Sequence, residues 1–213
     1  MAKPMFSEEL VRYLDGLVPP RQGELRAMED HGRKIGFPII GPACGHLGYL
    51  IARMIGARQV FEMGSGYGYS TAWFARAVVE NGGGKVVHTV WDEDLSRAAR
   101  QHLAKMGFGE IIEYRIGGAV EELRRTTGAL DLVFLDIDKE DYPEALDVIE
   151  GKIRPGGVLL ADNLFLRGGI LDGDDHSPRI EAVRELTRRT IQGDRWIGSI
   201  VPLRDGLLVA YRR

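Results

Sequence analysis

The sequence predicts an α/β protein: a doubly wound, mainly parallel sheet preceded by N-terminal helices. Three observations predict it. From residue 57 to residue 191, short apolar runs alternate with amphipathic stretches, the pattern of strands joined by crossover helices. Gly and Pro-Gly clusters punctuate the alternation at 81–84, 117–118 and 155–157. Residues 196–202 and 206–211 form two apolar runs around Arg204-Asp205-Gly206, a terminal hairpin that adds an antiparallel strand at one edge.

The elements follow in order. Residues 7–18 carry Leu10, Val11, Leu14, Leu17 and Val18 at helical spacing, with Ser7 as N-cap and Pro19-Pro20 as the stop. A polar helix is expected over 21–34. An irregular loop at 36–42 and a helix to Ile55 follow. Residues 60–63 read as a strand and 70–80 as a helix. Strands are expected at 85–91, 111–116, 130–136 and 158–161, with helices at 94–105, 119–125 and 142–153 between them. Arg154-Pro155-Gly156-Gly157 is expected to end the last of these helices. An irregular polar segment, 167–177, leads to a helix ending near Ile191.

The chain has 213 residues, 44% hydrophobic and 28% charged, with a formal net charge of -3. That length suits a single domain, 1–213, with 1–56 as a helical cap or lid and 57–213 as the core. The slightly acidic balance gives no global sign of a nucleic-acid partner. A single cysteine, Cys44, excludes an intramolecular disulfide and fits a reducing compartment. With no targeting segment and no long apolar run, the expected location is cytoplasmic, with no membrane partner.

The chemistry is expected at the carboxyl ends of the strands, where doubly wound sheets bind ligands. Gly64, Gly66 and Gly68 form a G-x-G-x-G turn between the first core strand and a helix that starts near Ser70. Glycine lets a ligand approach the backbone, and helix-start N–H groups favour an anionic group. Position 69 is Tyr, so the dinucleotide spacing G-x-G-x-x-G is not met. Asp136 and Asp162-Asn163 close two strands that should be neighbours. Together they offer three oxygens to one cation, a hard donor set that favours Mg²⁺, Mn²⁺ or Ca²⁺ over zinc. His46, His176 and Cys44 read as surface or packing residues.

Several stretches resemble one family. Glu62-Met63-Gly64-Ser65-Gly66-Tyr67-Gly68-Tyr69-Ser70 is similar to motif I of S-adenosylmethionine (SAM)-dependent methyltransferases. Residues 135–142, 154–163 and 201–210 resemble the divalent-cation-dependent O-methyltransferases, the group of the catechol and caffeoyl-CoA enzymes and their bacterial relatives. The resemblance implies the SAM-methyltransferase Rossmann-like fold, seven strands with one antiparallel. It implies SAM and a divalent cation, Mg²⁺ first, as cofactors. Asp136, Asp162 and Asn163 would bind the metal. Lys139 would be the general base, with Asp136 beside it at the catalytic centre and near the cofactor.

On the SAM side, Gly64, Ser65 and Gly66 would line the methionine part. Ser70 would bind its carboxylate, and Glu62 would orient the turn or reach the cofactor through water. Gly118 and Ala119 would lie near adenine. The family's acid for the ribose falls on Val90, so Asp92 takes that role, with Trp91 near the adenosine; alternatively Asp92 or Asp94 only caps the next helix. The implied acceptor is a hydroxylated, catechol-like aromatic small molecule, and the implied assembly is a homodimer. Two alternatives stay open: O-methylation of a hydroxylated uridine in tRNA, and a non-catalytic SAM-binding protein.

Overall fold

The computed structural model describes residues 6–21 and 23–213. Seven strands, β1 (Gln59–Met63), β2 (Lys85–Val90), β3 (Ile112–Ile116), β4 (Leu130–Leu135), β5 (Ile153–Ala161), β6 (Trp196–Val201) and β7 (Leu207–Arg212), form one sheet. Their order is β3-β2-β1-β4-β5-β7-β6. β1 to β5 pair in parallel, while β7 runs antiparallel to both β5 and β6. The hairpin is therefore the expected antiparallel addition, with β7 inserted between β5 and the edge strand β6.

Alternation along the central strands fills two apolar layers, because successive side chains leave a strand on opposite faces. Val60, Leu132, Phe134, Val158 and Leu160 pack on one face with helices α3 (Gly41–Met54), α4 (Tyr69–Glu80) and α5 (Glu93–Lys105). Phe61, Met63, Val133, Leu135, Leu159 and Ala161 pack on the other with α6 (Ala119–Arg125), α7 (Tyr142–Glu150) and α8 (Pro178–Thr187). α1 (Glu8–Leu17) starts as expected, with the Ser7 hydroxyl accepting the Leu10 N–H. α2 (Glu24–Ile35) begins later than expected; part of the expected first turn, Gln22, lies outside the described residues. No helix among the described residues is long and apolar enough to cross a membrane.

Two expectations are corrected. The helix expected to run to Ile153 ends at Glu150, and the fifth strand starts at Ile153 rather than Val158. Arg154-Pro155-Gly156-Gly157 is thus inside a strand. A register shift between Leu130 and Leu132 opens the ladder there, so Pro155 needs no partner for its missing N–H. The irregular polar segment also begins with turns, 3₁₀ at residues 166–171, kinked at Arg167 and Gly168.

The amino ends of the central strands are fastened by Asp131. Its carboxylate accepts the N–H groups of Arg58 and Gln59, each at 2.8 Å, and Nε of Arg154 at 2.6 Å. Burial pulls this carboxyl up, but the donors outweigh it and hold it below the usual carboxylate range. Replacing Asp131 with Ala should cost about 2 kcal/mol at neutral pH, since charged hydrogen bonds contribute roughly 1.5–3 kcal/mol. A depressed carboxyl loses its contribution as pH falls, so the gap between wild type and D131A should narrow in urea unfolding on acidification.

Candidate active site

A cavity of about 650 Å³ opens at the carboxyl ends of β1, β2, β3 and β4, within the range of small-molecule sites. Its floor is the glycine turn after β1. Gly64, Gly66 and Gly68 have φ of 86°, 50° and 89°, left-handed conformations that glycine adopts without steric cost. A Cβ on Gly64 would strike the carbonyl of Asp136, so the turn lies directly against the end of β4.

The expected cofactor residues Gly64, Ser65, Gly66, Ser70, Gly118, Ala119 and Asp136 all line this cavity. Trp91 lines it too, with 78% of its surface exposed at the mouth. The roof comes from Phe37, Pro38, Ile39 and Ile40, the loop before α3. Asp92 stands apart. Its Oδ1 accepts the Leu95 N–H at 2.8 Å and caps α5, which is the capping alternative for this residue.

Charge is unevenly distributed in the lining. Five carboxylates reach it, from Glu121, Asp136, Asp138, Asp141 and Glu144, and no Lys, Arg or His. The helix-start N–H groups near Ser70 supply the opposite polarity. A ligand with a cationic centre and one carboxylate satisfies both, and the sulfonium, ammonium and carboxylate of SAM are such a set.

Glu62 lies beneath the turn and is fully buried. Thr71 Oγ1 bonds its Oε2, while Oε1 has no partner. The same hydroxyl is 3.0 Å from Nδ1 of buried His88. This Glu62–Thr71–His88 chain was not visible in the sequence, since its members come from β1, α4 and β2. Only the topology makes them neighbours. Burial pushes the Glu62 carboxyl up to about 7, against the opposing pull of the nearby Ser70, Thr71 and Ser65 hydroxyls. Burial also pushes the His88 imidazole down to about 3.

The second cluster sits at the ends of β4 and β5. Leu135 faces Ala161 in the ladder, and the Asp162 N–H bonds the Leu135 carbonyl at 3.1 Å. Asp136 and Asp162 are thereby neighbours, as expected. Burial raises both carboxyls, and the Asp136 charge raises Asp162 further. Asp162 Oδ1 is buried without a hydrogen-bond partner. Asn163, at φ 63°, turns the chain sharply just after it; Asn tolerates that conformation better than most residues.

Among the described residues no three His, Cys, Asp or Glu side chains gather as a metal cage. Two carboxylates, one with an unpartnered oxygen, and the Asn163 amide next in sequence make a hard, incomplete donor set. That suits a divalent cation completed by water or substrate oxygens.

Lys139 is fixed beside this pair. Its Nζ donates to Asp136 Oδ1 at 3.1 Å, the Ile137 carbonyl at 3.0 Å and the Tyr142 hydroxyl at 2.7 Å. Tyr142 in turn donates to the Asp162 carbonyl at 2.9 Å. Tyr142 was missed in the sequence. The available signal was its position three residues after Lys139, which one turn of helix brings back beneath the lysine.

The sheet order, glycine turn and ligand cavity define the SAM-dependent methyltransferase fold. A family model described as O-methyltransferase matches residues 24–213, and the chain belongs to that family. A Mycobacterium avium (strain 104) protein that carries the O-methyltransferase name is 32% identical over 98% of this chain and 94% of its own length. A catechol O-methyltransferase of Niastella koreensis is 28% identical over 84% of this chain and 83% of its own. The O-methyltransferase TomG from Streptomyces achromogenes, solved in complex with SAM, superposes with a TM-score of 0.85 at 26% identity, covering 96% of both chains. The protein is accordingly a SAM-dependent O-methyltransferase.

A carboxyl whose pKa is raised on folding favours the folded state at low pH and penalises it as pH rises. Glu62 should therefore withdraw up to about 3 kcal/mol of stability between about pH 4.5 and 7. Glu62→Gln should flatten that limb, so the variant gains on wild type between pH 5 and pH 8 in urea unfolding. Equal slopes for the two proteins would show that Glu62 titrates normally.

Proposed function

We propose that the protein transfers the methyl group of SAM to one hydroxyl of a catechol-like aromatic molecule, with a divalent cation held by Asp136, Asp162 and Asn163. The observation that carries this reading is the Asp136–Asp162 pair, half-buried and buried, with the unpartnered Asp162 Oδ1 and with Lys139 at 3.1 Å from Asp136. Two desolvated carboxylates side by side are costly unless a cation lies between them. When bound, the cation would chelate adjacent oxygens of the acceptor and acidify the hydroxyl that reacts.

The chain's own residues supply positioning and proton transfer. The glycine turn and Ser70 hold the amino-acid end of SAM, and the carboxylates of the lining face its cationic centres. SAM supplies an electrophilic methyl: the carbon–sulfur pair stays on sulfur as the carbon–oxygen bond forms. Lys139, pinned by Asp136, Ile137 and Tyr142, is the group placed to take the hydroxyl proton. Trp91 flanks the adenosine end beside Gly118 and Ala119. Asp92 Oδ1 caps α5, so the ribose role expected for this residue would fall to its other carboxylate oxygen.

The same reading assigns residues 1–56 as a cap over the site and places a second copy of the chain against α1. Leu10, Tyr13 and Leu17 of that helix are exposed, and none of its residues is buried. Its location would be the cytoplasm, which the free thiol of Cys44 fits.

Labelled SAM, a simple catechol and Mg²⁺ provide the test. Transfer should occur and should stop with excess EDTA. Asp162→Ala should lose metal-dependent transfer. Lys139→Ala should lose at least about 100-fold in kcat, the scale of general-base catalysis. Transfer that persists in EDTA would remove the metal from the reading; absence of transfer despite SAM binding would remove the catechol.

A further inference from the structure

Two arginines, Arg167 and Arg204, stand on strained backbone in the loops next to Asp162. Among the described residues four non-glycine positions have positive φ: Asn163, Leu166, Arg167 and Arg204. All four lie on two loops that bond to each other. Leu164 N–H meets the Gly206 carbonyl at 3.0 Å, Phe165 N–H the Asp205 carbonyl at 2.8 Å, and Arg167 N–H the Asp205 Oδ1 at 2.7 Å. Left-handed backbone at Leu and Arg costs free energy, and such residues cluster where a site must be held in one shape.

Arg204 is the more informative of the two. It stands on the β6–β7 turn, and the pairing of Ala161 with Leu208 sets that turn beside Asp162. Its Nη1 donates to the Ile39 carbonyl at 2.6 Å, and Ile39 lines the cavity. The side chain lies across Gly41, where a Cβ would strike it. Among the described residues no carboxylate lies within ion-pair distance of Arg204, whereas Arg154, Arg189 and Arg195 are each paired. Asp205, its neighbour, spends Oδ1 on the Arg167 N–H instead. Asp136 and Asp162 both feel the Arg204 charge, which pulls against the burial that raises them.

A guanidinium has five N–H donors in a planar fork, and one is accounted for. The other four have no partner among the described residues, and the Ile39 contact and the Ala161–Leu208 pairing set this guanidinium between the roof loop and the turn beside Asp162. We propose that the natural acceptor carries a carboxylate on the ring edge away from its hydroxyl pair, and that Arg204 binds that carboxylate. The inference rests on the catechol-like acceptor proposed above and narrows it to hydroxylated aromatic acids. It would set one guanidinium against the far edge of the anionic acceptor, while the carboxylates of the lining face the cationic cofactor.

The test compares 3,4-dihydroxybenzoate with its methyl ester and with catechol, in wild type, R204Q and R204K. The ester removes the charge; its added methyl and stronger ring withdrawal act alike on wild type and variants, so the change in the acid-to-ester ratio on substitution reports Arg204. Wild type should favour acid over ester by about tenfold in kcat/KM, mainly through KM, as one charge-assisted hydrogen bond allows. In R204Q that ratio should fall to near one, whatever common loss the Ile39 contact imposes on both substrates. R204K, which keeps the charge but not the fork, should retain part of the preference. It also carries the test if R204Q does not fold.

A wild-type ratio near one would overturn the proposal, as would R204Q slowing acid and ester equally; Arg204 would then only tie the loop to the hairpin. Both outcomes include turnover of at least one substrate, so they are distinct from failure of the catechol reading. Inertness toward all three molecules would overturn that reading and this inference together.

Discussion

The site depends on how three parallel strands end. The N–H of Asp136 bonds the carbonyl of Met63 at 2.9 Å, and that of Asp162 bonds Leu135 at 3.1 Å. These two ladder bonds, each just past the last regular pair, fix the glycine turn, the first carboxylate and the second side by side. Nothing else in the sequence brings residues 64, 136 and 162 together. The apolar layers on both faces of the sheet make a one-residue slip costly, because it would turn Phe134 and Leu135 to the wrong sides.

Desolvation gives this arrangement its chemistry and also strains it. Glu62, Asp136 and Asp162 are carboxyls that burial pushes toward neutrality. Each has a distinct answer. Glu62 shares the Thr71 hydroxyl with His88; Asp136 has Lys139; Asp162 has an oxygen with no partner at all. Unsatisfied buried oxygens are rare because they are expensive, and their presence beneath and beside the cavity marks where a ligand's charge would be compensated.

How much of this could be read from the sequence follows from the range of the interactions. Strand ends, caps and the glycine turn are local, so β1, α1, α4 and the Asp136 and Asp162 positions were legible from spacing alone. Residues 153–157 were misread because Pro and Gly usually stop helices; here a shifted register lets a strand accept them. Tyr142 beneath Lys139 is a local contact that the three-residue spacing could have signalled, whereas the contact of Arg204 with Ile39 spans 165 positions and needed the fold. Asp92 shows the reverse problem. A cap and a ribose ligand call for the same residue type at the same place, and only the Leu95 contact decides what its side chain does here.

The distribution of strain separates the two halves of the site. The cofactor half is built from glycines, at φ values of 86°, 50° and 89° along the turn, and so takes its shape without steric penalty. The acceptor half takes similar conformations at Asn163, Leu166, Arg167 and Arg204, where side chains make them costly. A loop that needed only its shape could use glycine at those positions, as the cofactor turn does. Retaining Arg at two of them puts charge on a rigid support, on the loops that follow β5 and join β6 to β7. On the proposed reading the two halves would recognise their ligands by different means: close backbone approach and helix-start polarity for the cofactor, and side-chain charge held in strained loops for the acceptor.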